Sequence, residues 1–173
     1  NLSSQIKLDQ VPKKYYAPEN KLEFAALCRE EKVYTSIFET ADEGAAHIAE
    51  EVAKTIRKSV DLKGKCVVAL GAGNAVIPVY TELISLYKAG KVTFDNLVIF
   101  NIADFYPSAD GQPKTIDRLQ KIFISQTNVK PENVHTFNVD TPHTDIYEAC
   151  KAYEADIDAA GGLDLAICEI GAS

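Results

Sequence analysis

The amino-acid sequence predicts an α/β fold, in which helices cover both faces of a parallel sheet. Two observations indicate this fold. Short apolar runs alternate with segments whose apolar residues recur every three or four positions, so strands and helices alternate along the chain. The first apolar run, at 66–70, has no charged or strongly polar residue and contains two adjacent valines, as expected of a strand buried on both faces.

The predicted elements follow one another from residue 40 onward. The first helix begins after Thr40, because a threonine followed three residues later by Glu43 forms a capping box. Glycines stop the helices, at Gly64, at Gly90 and at the pair Gly161-Gly162. Further helices are predicted at 76–89, 115–125 and 141–160, and strands at 66–70, 97–102, 134–137 and 163–170.

One folded domain is predicted, preceded by an arm. Residues 1–36 combine charged residues, two prolines and an aromatic pair without a sustained period, so they indicate an N-terminal arm whose helical content stays open. Residues 37–173 contain the alternating pattern and are predicted to form the α/β domain.

Charge and composition exclude several classes of function. The net charge of −7 argues against binding to nucleic acid or to an anionic membrane surface. No apolar run has the roughly 20 residues needed to cross a bilayer, and the first residues lack a signal-peptide pattern, so a cytoplasmic protein is expected. The histidines and cysteines are scattered, which predicts no metal site. Cys66 and Cys168 fall within apolar runs and are expected to be buried, reduced thiols.

The segments after the predicted strands are the candidate ligand sites, because open α/β sheets bind ligands beyond the carboxyl ends of their strands. The strongest chemical signal is the glycine loop, Gly71-Ala72-Gly73-Asn74, which leads into a helix and lets backbone amides approach an anion. Two other interpretations stay open. One is a dinucleotide site, although Val76 stands where that fingerprint has Gly or Ala; the other is a tight turn without a ligand. The four segments are 71–75, 101–106, 138–140 and 171–173.

A second candidate site lies at the end of the second predicted strand. Asn101 and Asp104 place an amide and a carboxylate where a general base could face a substrate. A single aspartate after a strand also commonly serves as a turn or helix-cap residue. Both interpretations of Asp104 therefore stay open.

Six segments match a known enzyme family in residue types and in the spacing between them. They are Val79-Tyr80-Thr81-Glu82-Leu83-Ile84, Lys88-Ala89-Gly90-Lys91-Val92-Thr93-Phe94, Val98-Ile99-Phe100-Asn101, Val129-Lys130-Pro131-Glu132-Asn133-Val134-His135, Tyr153-Glu154 and Gly161-Gly162-Leu163-Asp164-Leu165. With these segments, residues 35–171 resemble the glucosamine-6-phosphate deaminase family. The related 6-phosphogluconolactonases share the fold but match these segments less well.

The resemblance implies a Rossmann-like sheet that binds a hexose phosphate without an organic cofactor or a metal. In such enzymes a carboxylate moves a proton between C1 and C2 of the opened amino sugar, and a histidine helps to open the ring. The products are fructose 6-phosphate and ammonia. Carried onto this chain, the implied phosphate ligands are Gly71, Gly73, Asn74 and Ala75, the implied catalytic residue is Asp104, and the implied pocket residues are Asn101 and Gly171.

The sequence departs from the family pattern at three places. The family's phosphate loop reads close to Thr-Gly-Gly-Thr-Pro, whereas the aligned Ala72-Gly73-Asn74-Ala75-Val76 lacks the hydroxyls. Ala103 stands where the family has its aspartate base, and Asp104 takes the adjacent glutamate position. The family continues past its last strand with Gly-His-x-Ala-Phe-Asn, which contains the ring-opening histidine, whereas this sequence stops at Ser173. Because residues 1–20 also resemble the arm of larger two-module members, a domain truncated at its C-terminus is expected.

Three functions remain open at this point. The chain acts on or binds a hexosamine phosphate in amino sugar catabolism, as a deaminase or isomerase; it is a non-catalytic sugar-phosphate-binding or assembly module derived from that family; or it is a 6-phosphogluconolactonase-like hydrolase. The expected partner is a small-molecule sugar phosphate. The resemblance also implies a homo-oligomer.

Overall fold

The computed structural model of the protein describes residues 10–13, 18–29, 33, 35–104, 114–137 and 145–170. The chain divides into two compact units, Asn1–Gly44 and Ala45–Ser173. The second unit contains the sheet and the candidate sites.

The first unit contains helix α1, at Lys21–Cys28. Asn20 caps this helix, since its side-chain oxygen accepts hydrogen bonds from the amides of Leu22 and Glu23, both at 3.0 Å. No residue of α1 is buried, which explains why the sequence there shows no helical periodicity.

Helices and strands then alternate. Half of the capping box predicted at the start of α2 is observed, because the Thr40 hydroxyl accepts a hydrogen bond from the Glu43 amide at 3.2 Å. The helices are α2 (Ala41–Lys63), α3 (Ile77–Lys88), α4 (Thr115–Ile122) and α5 (Ile146–Ala159), and the strands are β1 (Cys66–Leu70), β2 (Leu97–Asn101), β3 (Val134–His135) and β4 (Leu165–Ile167).

The strands of the described ranges form one parallel sheet in the order β3-β2-β1-β4. Val67 pairs with Val98 of β2, and Val68 pairs with Leu165 of β4, so β1 has a neighbour on each side. All five β1 residues are buried, as the uninterrupted apolar run predicted. The predicted fold class, an α/β fold with a Rossmann-like parallel sheet, is confirmed.

Side chains of the sheet alternate between its two faces. One core cluster joins the buried residues of α2, α3 and α4 to Val68, Leu70 and Ile99. Phe100 points to the opposite face. Its ring stacks on His135 with 4.5 Å between the centroids and meets Tyr153 of α5 edge-on at 5.5 Å.

Two predicted helices differ in length from the observed ones. Helix α4 stops at Ile122 rather than near residue 125, because Phe123 takes a φ of −137° and a 3₁₀ turn follows at Ile124–Gln126. The predicted start of the last helix, at 141–144, lies outside the described residues, and α5 is described from Ile146.

The last predicted strand, at 163–170, was too long. Its ladder begins late because the Asp164 carboxylate, rather than a backbone carbonyl, accepts the hydrogen bond from the Val67 amide, at 2.8 Å. It ends early because β1 ends at Leu70, opposite Ile167, and the last hydrogen bond between the two segments joins the Gly71 amide to the Ile167 carbonyl. The prediction of a buried Cys168 was therefore wrong: this thiol is exposed, whereas Cys66 is buried as predicted.

Candidate functional site

The strand order places the candidate site at the ends of β1 and β4. The chain passes from β1 to β2 and β3 on one side, and then returns to pair β4 on the other side of β1. Open α/β sheets form a crevice at such a switch point, outside the carboxyl ends of the strands. The glycine loop follows β1, and Glu169 follows β4, so both lie at this crevice.

Two hydrogen bonds fix the start of the glycine loop. The Gly71 amide donates to the Ile167 carbonyl at 3.2 Å, which extends the pairing of β1 with β4. The Gly71 carbonyl accepts from the buried Tyr80 hydroxyl at 2.6 Å. Burial, together with the negative charge of Glu169, raises the pKa of Tyr80, so its hydroxyl stays protonated as a donor. The Gly71 amide therefore serves the sheet rather than a ligand.

Gly73 lies against a carboxylate. A Cβ placed on Gly73 would overlap both oxygens of the Glu169 carboxylate. The backbone of Gly73 does not take a positive φ, so its conformation does not require glycine, and a larger side chain there would have to displace the end of Glu169. The loop thus already contains an anionic group from the end of the neighbouring strand.

The rest of the loop leads into α3. Val76, at the N-cap, makes no side-chain hydrogen bond to the helix, and Pro78 occupies the first turn. Asn74 binds Arg118 of α4 instead, since its side-chain oxygen accepts from the guanidinium at 2.5 Å. Ala75 is exposed and is absent from the lining of the cavity beside the loop.

A cavity of about 390 Å³ lies between the glycine loop and the start of α4. Its charged groups are of both signs, with the carboxylates of Asp104 and Glu169 and the cationic side chains of Lys114 and Arg118. The other lining residues are Gly71, Ala72, Gly73, Ile102, Ala103 and Thr115.

Asp104 takes part in a helix contact and also lines the cavity. Its carboxylate accepts hydrogen bonds from the Thr115 amide, at 3.4 Å, and from the Thr115 hydroxyl, at 3.2 Å. These contacts hold the start of α4, as the helix-cap interpretation predicts. The same residue lines the cavity, as the acid–base interpretation requires.

A second cavity, of about 270 Å³, shares the segment 102–104 with the first. Asn101 lines it and is 2% exposed; no described residue forms a hydrogen bond with either polar atom of the Asn101 side chain. The Asn101 carbonyl accepts from Tyr153 at 2.8 Å. Burial raises the pKa of Tyr153 to about 12, although this hydrogen bond opposes the shift. The other lining residues are Phe137, Cys150 and Glu154.

The structure thus brings Gly71, Gly73 and Asp104 to one cavity, whereas Gly171 lies outside the described residues. The sequence interpretation missed Lys114, Arg118 and Glu169. For Glu169 a signal existed, since it is an acidic residue directly after an apolar run. Arg118 gave no comparable signal, because a charged residue in the first turns of a helix is commonly on a solvated face.

Within the described ranges, no three His, Cys, Asp or Glu side chains are grouped so that they could hold a metal ion. Of the helices in those ranges, none combines the length and the apolar content that a bilayer crossing requires.

The sequence profile of one family, described as glucosamine-6-phosphate isomerases/6-phosphogluconolactonase, matches residues 39–172. The chain belongs to this family. The match includes every strand of the sheet, the glycine loop and both cavities. The predicted resemblance to the glucosamine-6-phosphate deaminases is thereby confirmed at the level of the family.

Individual relatives agree with this assignment. A glucosamine-6-phosphate deaminase-like protein of Bacteroides thetaiotaomicron is 38% identical over 172 residues, which are 99% of this chain and 26% of that protein. The glucosamine-6-phosphate deaminase of Thermoanaerobacter pseudethanolicus is 31% identical over 125 residues, 72% of this chain and 49% of the relative. The chain thus spans half or less of the length of these relatives.

Solved structures share the fold. A monomeric glucosamine-6-phosphate deaminase superposes with a TM-score of 0.67 at 23% identity, covering 76% of this chain and 53% of the other. The 6-phosphogluconolactonase of Thermotoga maritima superposes with a TM-score of 0.60 at 25% identity, covering 73% of this chain and 56% of the other.

Proposed function

We propose that this protein acts on or binds a hexosamine phosphate, as a glucosamine-6-phosphate deaminase-like protein of amino sugar catabolism. The observation that carries the proposal is the cavity of about 390 Å³ at the switch point of the sheet. Groups of both signs surround it, and a hexosamine phosphate carries both an anionic phosphate and an amino group. The deaminases among its relatives support the same substrate class.

Residues in the cavity, and Asn74 beside it, have separate roles in this proposal. The loop at Gly73 and Asn74 and the guanidinium of Arg118 receive the phosphate, because backbone amides before a helix and an arginine fork both suit phosphate oxygens. Asp104 is the acid–base group that moves a proton between C1 and C2 of the opened sugar. Ala103 beside it carries no group that exchanges protons.

Release of ammonia from glucosamine 6-phosphate tests the catalytic role. We expect Asp104→Asn to lower kcat/KM by about 100-fold or more, since a lost acid–base group typically costs 10²–10⁴ in rate. Asp61→Asn, which neutralises an exposed aspartate on α2, is the matched control and should leave the rate unchanged. Background activity in the unmodified protein, or equal rates for the protein and its Asp104→Asn variant, would contradict catalysis by Asp104.

A non-catalytic binding module is the second candidate, and the contacts of Asp104 favour it. One oxygen of that carboxylate, Oδ1, already accepts hydrogen bonds from the Thr115 amide and hydroxyl, so it holds the start of α4. Calorimetric titration with glucosamine 6-phosphate distinguishes the two candidates: binding without ammonia release supports the module. Hydrolysis of 6-phosphogluconolactone, assayed in parallel, tests the lactonase alternative that the Thermotoga structure raises.

We also expect the protein to be cytoplasmic. By analogy with the family, we expect it to form a homo-oligomer. Light scattering coupled to size-exclusion chromatography measures the oligomeric state. A mass of one chain, about 18.9 kDa, would contradict the second expectation.

A further inference from the structure

We propose that Glu169 is an internal anion that occupies the glycine loop and must leave it before the phosphate of a ligand can enter. This inference concerns the regulation of the same cavity and rests on the proposed binding of a sugar phosphate there. It assigns a role to a residue that follows the last strand rather than to the loop itself.

The first argument is steric. The carboxylate of Glu169 fills the space that a Cβ on Gly73 would need, and one of its oxygens would lie 3.8 Å from a Cβ on Gly71. A phosphate that approaches the loop at Gly73 meets these oxygens. The two anionic groups therefore compete for one place in the cavity.

The second argument is electrostatic. A carboxylate and a phosphate a few ångströms apart repel each other, although water weakens the repulsion because Glu169 is exposed. Asp104 lines the same cavity and adds a second negative charge, whereas Lys114 and Arg118 attract an anion into it. An anion therefore binds the loop well only when the charge of Glu169 has moved away.

The third argument is that Glu169 is free to move. Within the described ranges, no hydrogen bond or ion pair holds its side chain, and it lies beyond the end of β4, outside the ladder. Arg118 also has a movable contact, since a single hydrogen bond joins it to Asn74. When an anion enters, Glu169 can leave the loop, and Arg118 can exchange the Asn74 oxygen for the anion.

Such occupation lowers affinity in a predictable way. A ligand whose site is open in only a fraction of the molecules binds more weakly by that fraction. If Glu169 occupies the loop in about nine of ten molecules, its removal tightens binding about tenfold.

Calorimetric titration of the full chain with two probes, inorganic phosphate and glucosamine 6-phosphate, tests the proposal. We expect Glu169→Ala to tighten the binding of both probes about tenfold, and Glu169→Gln, which keeps the bulk but loses the charge, to tighten it less. Glu132→Gln is the matched control, because it removes the same charge in the 3₁₀ turn before β3, at the opposite edge of the sheet. Its dissociation constants should stay within twofold of those of the unmodified protein.

The outcomes separate this inference from the proposed function. Unchanged or weaker binding of both probes by Glu169→Ala overturns the competition. Tighter binding of inorganic phosphate, with no binding of glucosamine 6-phosphate by any variant, retains the competition and overturns the proposed substrate. No binding of either probe by any variant overturns both.

Discussion

The two ends of the parallel strands use carboxylates in opposite ways. At the amino ends of the strands, Asp164 accepts a hydrogen bond from the Val67 amide at 2.8 Å and forms an ion pair with Lys63 at 2.5 Å. At the carboxyl ends of the strands, Glu169 has no hydrogen bond or ion pair with a described residue and lies beside a cavity. The comparison teaches that a carboxylate whose bonds are satisfied by the fold supports the fold, whereas one without such bonds is available to respond to a ligand.

Removing the satisfied carboxylate should have the largest effect. Burial raises the pKa of Asp164, but the Lys63 ammonium and the Val67 amide outweigh it and lower the pKa below 3.8. We expect Asp164→Ala to reduce the free energy of unfolding by about 2–3 kcal/mol at pH 7, since it leaves a backbone amide and an ammonium without their partner. Chemical denaturation measures this loss.

The same variant gives a pH dependence of known sign. A carboxyl whose pKa is lowered by folding stabilises the protein above its unfolded-state value of 3.8, and this contribution is lost as the pH falls through the lower folded-state value. The difference in stability between the protein and Asp164→Ala should therefore shrink in acid. A constant difference from pH 7 to pH 3 would contradict the ion pair.

The second prediction concerns the backbone at the carboxyl end of β1, where the Tyr80 hydroxyl binds the Gly71 carbonyl. We expect Tyr80→Phe to reduce the free energy of unfolding by about 1–2 kcal/mol, because it removes the 2.6 Å hydrogen bond to the Gly71 carbonyl and leaves that carbonyl unsatisfied. Tyr87→Phe, on the same helix but partly exposed, is the matched control and should change stability little. Equal losses for the two variants would show that the bond to Gly71 contributes nothing.

The third prediction has the smallest effect and the opposite sign. Because the amide of Asn101 is buried and no described residue satisfies it, we expect Asn101→Leu to leave stability unchanged or to raise it by about 0.5 kcal/mol. By contrast, we expect Asp164→Ala, at the amino ends of the strands, to destabilise the protein. Thermal denaturation measures the difference, and a loss above about 1 kcal/mol would show that the Asn101 side chain has a partner in solution.

The sequence predicted those elements that a local pattern encodes. The buried run of β1, the helix cap at Thr40 and the alternation of strands with helices follow from side-chain periodicity and from the chemistry of helix ends. The length of β4 was not predicted correctly, because it depends on where β1 ends and on the hydrogen bond of the Asp164 side chain. Apolar composition says nothing about how many residues have a pairing partner.

The candidate site was predictable only in part. The position of the glycine loop and of Asp104 followed from the rule that ligands bind after parallel strands. The contribution of Glu169 depends on β4 lying beside β1, and that of Arg118 on α4 reaching the loop. Both are tertiary facts that spacing along the chain does not contain.

The strand order also has a kinetic consequence. Val67 meets Asp164 across 97 residues of chain, whereas β1 meets β2 through a single helical crossover. Closing the longer loop costs more conformational entropy, so we expect β1 and β2 to pair early and β4 to join late during folding. Glu169 follows β4, so we expect its carboxylate to reach the glycine loop and the cavity only when this last strand completes the sheet.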